Sequence, residues 1–223
     1  MKESAGKVLA LTWKDILSEM RTKEIITSIA AFALLVIVVV SLALDPSERT
    51  SAVAAGVLWI AFTFAGVLGL GRSFVMEKDK GCLQGLMLCP VDRAVIYFGK
   101  MLSTVIFMLV VEAIILPVFV ILLDQPRFPP QLVLIAVLAT VGFAAVGTLF
   151  SALSVNTKAR EVMLPLLFLP VASPVIIAAI EASSLALAGE PWSEIVSWLG
   201  VMVAFDVIFL AVSPLVFEFV LEE

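Results

Sequence analysis

The chain has no histidine among its 223 residues. That removes the most common metal and haem ligand and the most common general base near neutral pH. Cysteine is almost as scarce. Cys82 and Cys89 stand seven apart; without further thiols or imidazoles they cannot complete a zinc site, and they read as reduced, partly buried thiols. Charge is thin as well, at 15% of residues, against about a quarter in soluble domains. No Gly-x-x-x-x-Gly-Lys-Ser/Thr occurs, so the chain carries no phosphate-binding loop of its own. The glycines of Gly66-Val-Leu-Gly69-Leu-Gly71 have the wrong spacing for one. No internal repeat is visible.

What remains is apolar. Hydrophobic residues make up 62% of the chain and mean hydropathy is +1.16. This is the composition of a polytopic all-α membrane protein, read as a single transmembrane domain over residues 1–223. A helix needs about 20 apolar residues to cross the hydrocarbon, and six runs qualify: 25–44, 51–71, 101–123, 131–154, 161–181 and 195–219. The first is too long, and stands too far from the first residue, to be a signal peptide. Of the 14 basic residues, twelve fall before span 1, between spans 2 and 3, or between spans 4 and 5; Arg49 and Arg127 are the two on the other side. The positive-inside rule then predicts both termini in the cytoplasm and a cytoplasmic (inner) membrane location. Trp192 and Trp198 flank the start of span 6 as an outer aromatic belt does. Ala61, Ala65 and Gly69 form a small-residue stripe at i, i+4, i+8 that suits close helix packing, within the chain or against a second copy.

Two elements are expected outside the spans. Residues 5–23 form an amphipathic helix with Leu9, Trp13, Ile16, Leu17 and Met20 on one face. Charged residues, among them Asp15, Glu19 and Arg21, occupy the others, and Glu19 and Lys23 are spaced for an i, i+4 pair. Beside a span, such a helix lies along the membrane interface, as a plain anchor or as a lever touching a partner; Trp13, Asp15, Glu19 and Arg21 are its candidate contacts. The second element is the long polar interruption at 77–100. Lys78-Asp-Lys-Gly81 turns the chain, Leu83, Leu86 and Met87 give a two-turn apolar face, and Pro90 ends that short helix. Asp92 then caps the next helix. The short helix has nothing of its own to bury against except lipid or a partner.

Inside the spans, Glu112 lies twelve residues past Lys100, roughly 18 Å along a helix, and Asp206 lies eleven residues into span 6. No basic residue stands at that depth. Intramembrane carboxylates are default functional candidates, weighed here against structural hydrogen bonding. Glu181 and Glu218 sit near span ends, within reach of water. Span 5 holds Pro165, Pro170 and Pro174, which predict a kinked or broken helix; broken helices line the pathway in many transporters.

The run Glu77-x-x-x-Gly81-x-Leu83-x-x-Leu86-x-x-x-Pro90-Val-x-Arg93, ending Gly99-Lys100, resembles the coupling segment of six-span ABC-2-type exporter permeases. Gln84 departs from that pattern, where an acid is usual. A narrower resemblance is to the CcmB family, the heme exporter protein B permeases of bacterial cytochrome c maturation. Trp13-Lys-Asp15 with Glu19-Met-Arg21, Leu58-Trp59 through Gly69-Leu-Gly-Arg-Ser-Phe74, and the proline-rich 164–177 carry it. The resemblance implies that Glu77, Gly81, Leu83, Leu86, Met87 and Pro90 dock on a separate CcmA-like ATPase. It also implies CcmC and CcmD membrane partners and ATP-driven release of a haem-loaded CcmE chaperone. ATP would come through the partner and haem would be handled by the complex, with no cofactor or metal bound directly by this chain. It implies a membrane subunit without catalysis of its own. Without histidine, Met or a carboxylate would be left to contact haem iron, which is weak ligation. The chain is therefore expected to transmit motion, not to ligate haem. The rival readings are an ABC-2 permease for a lipid or drug, and a proton-coupled transporter using Glu112 and Asp206. An intramembrane enzyme has little support, since no nucleophile and base pair stands out. Nothing points to nucleic acid.

Overall fold

The computed structural model describes residues 2–79, 91–123, 129–154 and 160–220. Within them the secondary structure is helical apart from turns and caps. The helices are α1 Lys2–Thr22, α2 Glu24–Ala43, α3 Ser51–Asp79, α4 Arg93–Leu122, α5 Gln131–Ser154, α6 Arg160–Ala188 and α7 Trp192–Val220, with a single 3₁₀ turn at Pro46–Glu48. Six of them, α2 to α7, are long and apolar enough to cross a membrane. The protein is a multi-pass membrane protein. The short helix expected around Leu83, Leu86 and Met87, with Gly81 and Pro90, lies outside the described residues; Glu77 falls on the end of α3.

The bundle is organised around α5, which packs against α3, α4, α6 and α7. Its sequence explains this. Gly142, Ala144, Ala145 and Gly147 keep it narrow, and all four are buried. A Cβ added to Gly147 would lie 2.3 Å from Leu70 Cδ1, so the Leu70 side chain fills the space that glycine leaves open between α3 and α5. The Ser151 hydroxyl then donates to the Leu70 carbonyl at 2.7 Å. The stripe Ala61, Ala65, Gly69 is buried inside the chain: Gly69 meets Ile29 of α2, and Ala61 and Ala65 are 0% and 1% exposed. Trp59 Nε1 donates to Ser183 Oγ at 2.9 Å and pins α3 to α6. With apolar lipid outside, such small-residue contacts and interhelical hydrogen bonds hold a membrane bundle together, since hydrophobic burial offers little there.

The helix ends are closed by identifiable groups. Asp92 Oδ1 accepts from the Ala94 amide at 3.2 Å and caps α4. Gly189, at φ +79, ends α6. Its amide bonds to Ala186 O and the Glu190 amide to Leu185 O, the paired 5→2 and 6→1 pattern of a Schellman cap. Arg49 donates to the carbonyls of Ser41 (2.7 Å), Leu122 (3.3 Å) and Leu44 (3.4 Å). One guanidinium thus satisfies the negative ends of α2 and α4 together. At the other end Arg93 donates to the Glu218 carbonyl at 2.9 Å, tying the start of α4 to the last turns of α7.

Of the two expectations for Pro165, Pro170 and Pro174, a kinked or a broken helix, the break is not seen: α6 runs as one helix from Arg160 to Ala188 with all three inside it. Pro174 lacks the amide that would serve the Pro170 carbonyl four residues back. The Ser173 hydroxyl donates to that carbonyl instead, at 2.8 Å. In a span, side chains of this kind replace the missing backbone bond and let the helix continue.

Candidate functional site: a charged junction and two buried carboxylates

The first site lies where α1 meets the start of α4. The amphipathic pattern predicts that α1 lies along the membrane interface with its apolar face toward lipid. In the structure Leu9, Trp13 and Met20 are about 60% exposed, and it is Thr12 and Glu19 that are buried, at 3% each. Thr12, Asp15 and Glu19 follow one another at i, i+3 and i+7, so they share a face. Thr12 Oγ1 donates to Gly99 O at 3.2 Å. One turn on, Asp15 Oδ2 pairs with Lys100 Nζ at 2.9 Å and accepts from Ser103 Oγ at 3.2 Å. Lys14 Nζ lies 3.2 Å from the other carboxylate oxygen. Gly99 allows this approach, since a Cβ there would sit 2.9 Å from Leu11 Cβ. Lys100 itself is 5% exposed. Asp15 Oδ2 therefore receives two donors in a nearly dry setting, the geometry a buried ion pair needs to offset its desolvation.

Glu19 completes the junction. Its Oε1 accepts from the Ile26 amide at 2.8 Å. That amide is among the first four of α2, which have no partner within the helix. The local N-cap residue, Lys23, sits at φ 56, ψ 18 and offers no side-chain cap. So the carboxylate expected to pair with Lys23 caps the next helix instead. The left-handed turn at Lys23 folds α2 back far enough for it to do so. Arg21 is exposed. Beneath this junction Tyr97, fully buried, donates its hydroxyl to Ala145 O at 2.8 Å and packs on Phe98 and Phe217.

The second site lies deeper. Glu112 of α4 and Asp206 of α7 both seat on α5, two residues apart along it. Thr140 Oγ1 donates to Glu112 Oε1 at 2.5 Å. Asp206 Oδ1 lies over bare Gly142, 2.4 Å from where a Cβ would stand. Positions two apart on a helix face nearly opposite ways, so the carboxyls flank α5 and do not face each other as a pair. Glu112 is 3% and Asp206 5% exposed. Glu112 Oε2 and Asp206 Oδ1 have no hydrogen-bond partner among the described residues. Among the described residues no three His, Cys, Asp or Glu gather as a metal site.

Sequence reasoning singles out Asp15, Glu19, Glu112 and Asp206 but not their partners. Lys100, Ser103, Thr140 and Gly142 come from other helices. The signal that was available is the buried-type spacing of Thr12, Asp15 and Glu19 and the Gly99-Lys100 pair. Pro165, Pro170 and Pro174 lie together on α6, apart from both sites in the chain.

The sequence matches the CcmB protein family over residues 6–222. The heme exporter protein B of Pseudomonas aeruginosa is 30% identical over 186 residues, covering 82% of this chain and 83% of the relative. That of Rhodobacter capsulatus is 31% identical over 150 residues, 66% and 68% of the two chains. That of Paracoccus denitrificans is 30% identical over 169 residues, 74% and 78%. A family match that runs nearly end to end, over a bundle of six membrane-length helices, means that the chain belongs to the CcmB family.

Proposed function

We propose that this protein is the permease subunit of a haem-export system serving cytochrome c maturation, driven by ATP hydrolysis in a separate CcmA-like subunit. The family match over residues 6–222 carries the reading. The relatives' description as heme exporter protein B supports the cargo class. The sequence holds no phosphate-binding loop, so on this reading ATP is hydrolysed by a partner. The segment around Gly81, Leu83, Leu86, Met87 and Pro90, with Glu77 at its head, is the proposed docking element for that ATPase. CcmC, CcmD and the CcmE chaperone are the remaining proposed partners. Both termini face the cytoplasm of an inner membrane, and the exposed stripe Leu9, Trp13, Leu17 and Met20 of α1 lies in the cytoplasmic lipid interface. On this reading the subunit transmits motion and does not itself ligate haem.

The test is Glu77→Lys combined with Leu86→Asp. The ATPase should no longer co-purify, and the cell's covalent c-type haem should fall while the permease still reaches the membrane. Retention of the ATPase with normal hydrolysis refutes the docking assignment. One observation favours a second reading, proton-coupled transport: Glu112 and Asp206 are buried in mid-span with an oxygen each left over. That reading predicts transport that follows a pH gradient in vesicles lacking any ATPase.

A further inference from the structure

We infer that the seam between α4, α5 and α7 is an internal water site, whose water joins the Asp206 carboxyl to the Tyr97 hydroxyl while the other side of Asp206 stays dry. The inference goes beyond the permease reading and does not depend on what drives the bundle.

Ser-Pro occurs in α6 as Ser173-Pro174 and in α7 as Ser213-Pro214. Each proline withholds the amide that would serve the carbonyl four residues back. In α6 the serine hydroxyl takes over, donating to Pro170 O. In α7 it does not: Ser213 is fully buried, and its Oγ has no hydrogen-bond partner of ordinary geometry among the described residues. The Leu210 carbonyl therefore loses its amide and gains no serine. Seven residues before Ser213, on the same face of α7, Asp206 Oδ1 is without a partner as well. Tyr97 enters the same seam from α4. Its hydroxyl donates to Ala145 O and stands near Ser213, and its ring packs on Phe217, one turn beyond Ser213. Buried polar groups that the protein leaves unpaired are ordinarily served by ordered water. Asp206 and Ser213 are about 10 Å apart along α7, a gap that about three waters bridge at about 2.8 Å per bond. On α5, Gly142, Ala144 and Ala145 carry at most a methyl and leave space for them.

The seam is polar in one direction only. Toward the start of α7 the Asp206 face continues with Met202, Leu199 and Ile195, and the matching stretch of α5 carries Ala139, Ile135 and Leu132, all buried. Water there would find no partners, and its hydrogen bonds would be lost. Toward the end of α7 lie the Leu210 carbonyl, Ser213 and Tyr97, with the Tyr97–Phe217 ring pair and the Arg93 bond to Glu218 O beyond them. Glu112 has no such column: toward the start of α4 its face carries Met108, Val105 and Met101, all buried. Of the two carboxyls, Asp206 is thus the one that meets water, and it can exchange a proton only with the end of the bundle at which α4 starts. No residue of α5 is titratable, Glu112 lies on the opposite flank of α5, and Glu181 of α6 is exposed. Among the described residues this leaves Tyr97 as the titratable side chain on the route.

Tyr97 is the only tyrosine of the chain, which gives the experiment a single probe. The full-length chain, grown with meta-fluorotyrosine and held in lipid nanodiscs, has one fluorine resonance, and its shift between light and heavy water reads contact with solvent. Wild type should show a shift comparable to that of the free amino acid, although Tyr97 is fully buried. Asp206→Leu and Ser213→Ala should each remove most of it, and Glu112→Leu should leave it in place. Where Asp206→Leu does not fold, Ser213→Ala decides alone. A wild-type resonance without a shift, a shift undiminished in Ser213→Ala, or one lost equally in Glu112→Leu overturns the water site. A second measurement needs no substitution. X-ray radiolysis turns bound water into hydroxyl radicals, and mass spectrometry locates the oxidised side chains. Tyr97 should oxidise at least about fivefold faster than Met202, although a thioether is itself readily oxidised and both residues are fully buried. Met202 oxidised as fast as Tyr97 means that water passes Asp206, and the one-sided seam is overturned; neither residue oxidised means that the seam is dry, and the proposal fails.

Discussion

The junction at Asp15 and the carboxyls at Glu112 and Asp206 are both acids packed against neighbouring helices, but they are satisfied to different degrees. Asp15 receives a lysine ammonium, a serine hydroxyl and a second lysine. Glu112 receives one threonine, and Asp206 Oδ1 rests on a glycine with no donor among the described residues. The fully bonded acid sits where α1 meets the start of α4, and the half-bonded ones sit within membrane-length helices. The difference separates two roles for polar groups in one bundle. A saturated junction fixes geometry and is damaged by losing any partner. An unsaturated carboxyl has already met most of its cost, so it loses little further and keeps a free oxygen for something else.

The largest effect that this contrast predicts is at Lys100. Lys100→Met leaves the Asp15 carboxylate nearly buried without its principal cation. Removing one member of a buried pair costs about 3 kcal/mol or more. Asp15 keeps 11% side-chain exposure and Lys14 as a neighbour, so the low end of that range applies. Thermal unfolding in detergent should register it, and Asp15→Leu added to Lys100→Met should recover most of the loss. A single variant as stable as wild type would mean that the junction is ornamental.

The next effect is at Gly142. Gly142→Ala drives a methyl toward Asp206 Oδ1 and to 3.0 Å from Phe205 Cδ1, and overpacking of this kind costs about 2 kcal/mol. Because much of the clash is with a short side chain, Asp206→Ala in the same chain should relieve it. The double-mutant cycle should show a coupling of about 1 kcal/mol. Strict additivity would mean that Asp206 does not use Gly142 as its seat.

How far these features could be read in advance follows the same division. The six spans were legible because length and hydropathy alone decide them: 131–154 was expected and α5 occupies Gln131–Ser154. Glu112 and Asp206 were legible because a carboxylate in an apolar run stands out. Their seats were not, because Thr140 and Gly142 are ordinary span residues until the rotation of α5 against α4 and α7 is known. The interfacial position expected for α1 leaves its apolar face to lipid, and the exposed Leu9, Trp13 and Met20 agree with that. What was not legible is which polar side chains of α1 meet the spans, because Gly99, Lys100, Ser103 and the Ile26 amide come from other helices. The prolines of α6 left a kink or a break open; the helix stays continuous, and at Pro174 the neighbouring serine supplies the donor that the sequence pattern alone does not assign.

The smallest effect completes the contrast. Thr140→Val keeps the volume of the side chain and removes the hydrogen bond that reaches Glu112 Oε1. Interhelical hydrogen bonds of this kind in membrane proteins average about 0.6 kcal/mol, and Glu112 Oε2 already lacks a partner. The loss should therefore be about 0.6 kcal/mol, several-fold less than at Lys100, and Glu112→Gln should be milder still, since an amide oxygen can accept the same bond. If Thr140→Val proved as costly as Lys100→Met, the mid-span carboxyl would be as saturated as the junction, and the division between fixed joint and spare oxygen would fail. If it is mild, yet both Thr140→Val and Glu112→Gln lower transport well beyond their effect on stability, the spare oxygen has work in the transport cycle that packing alone does not require.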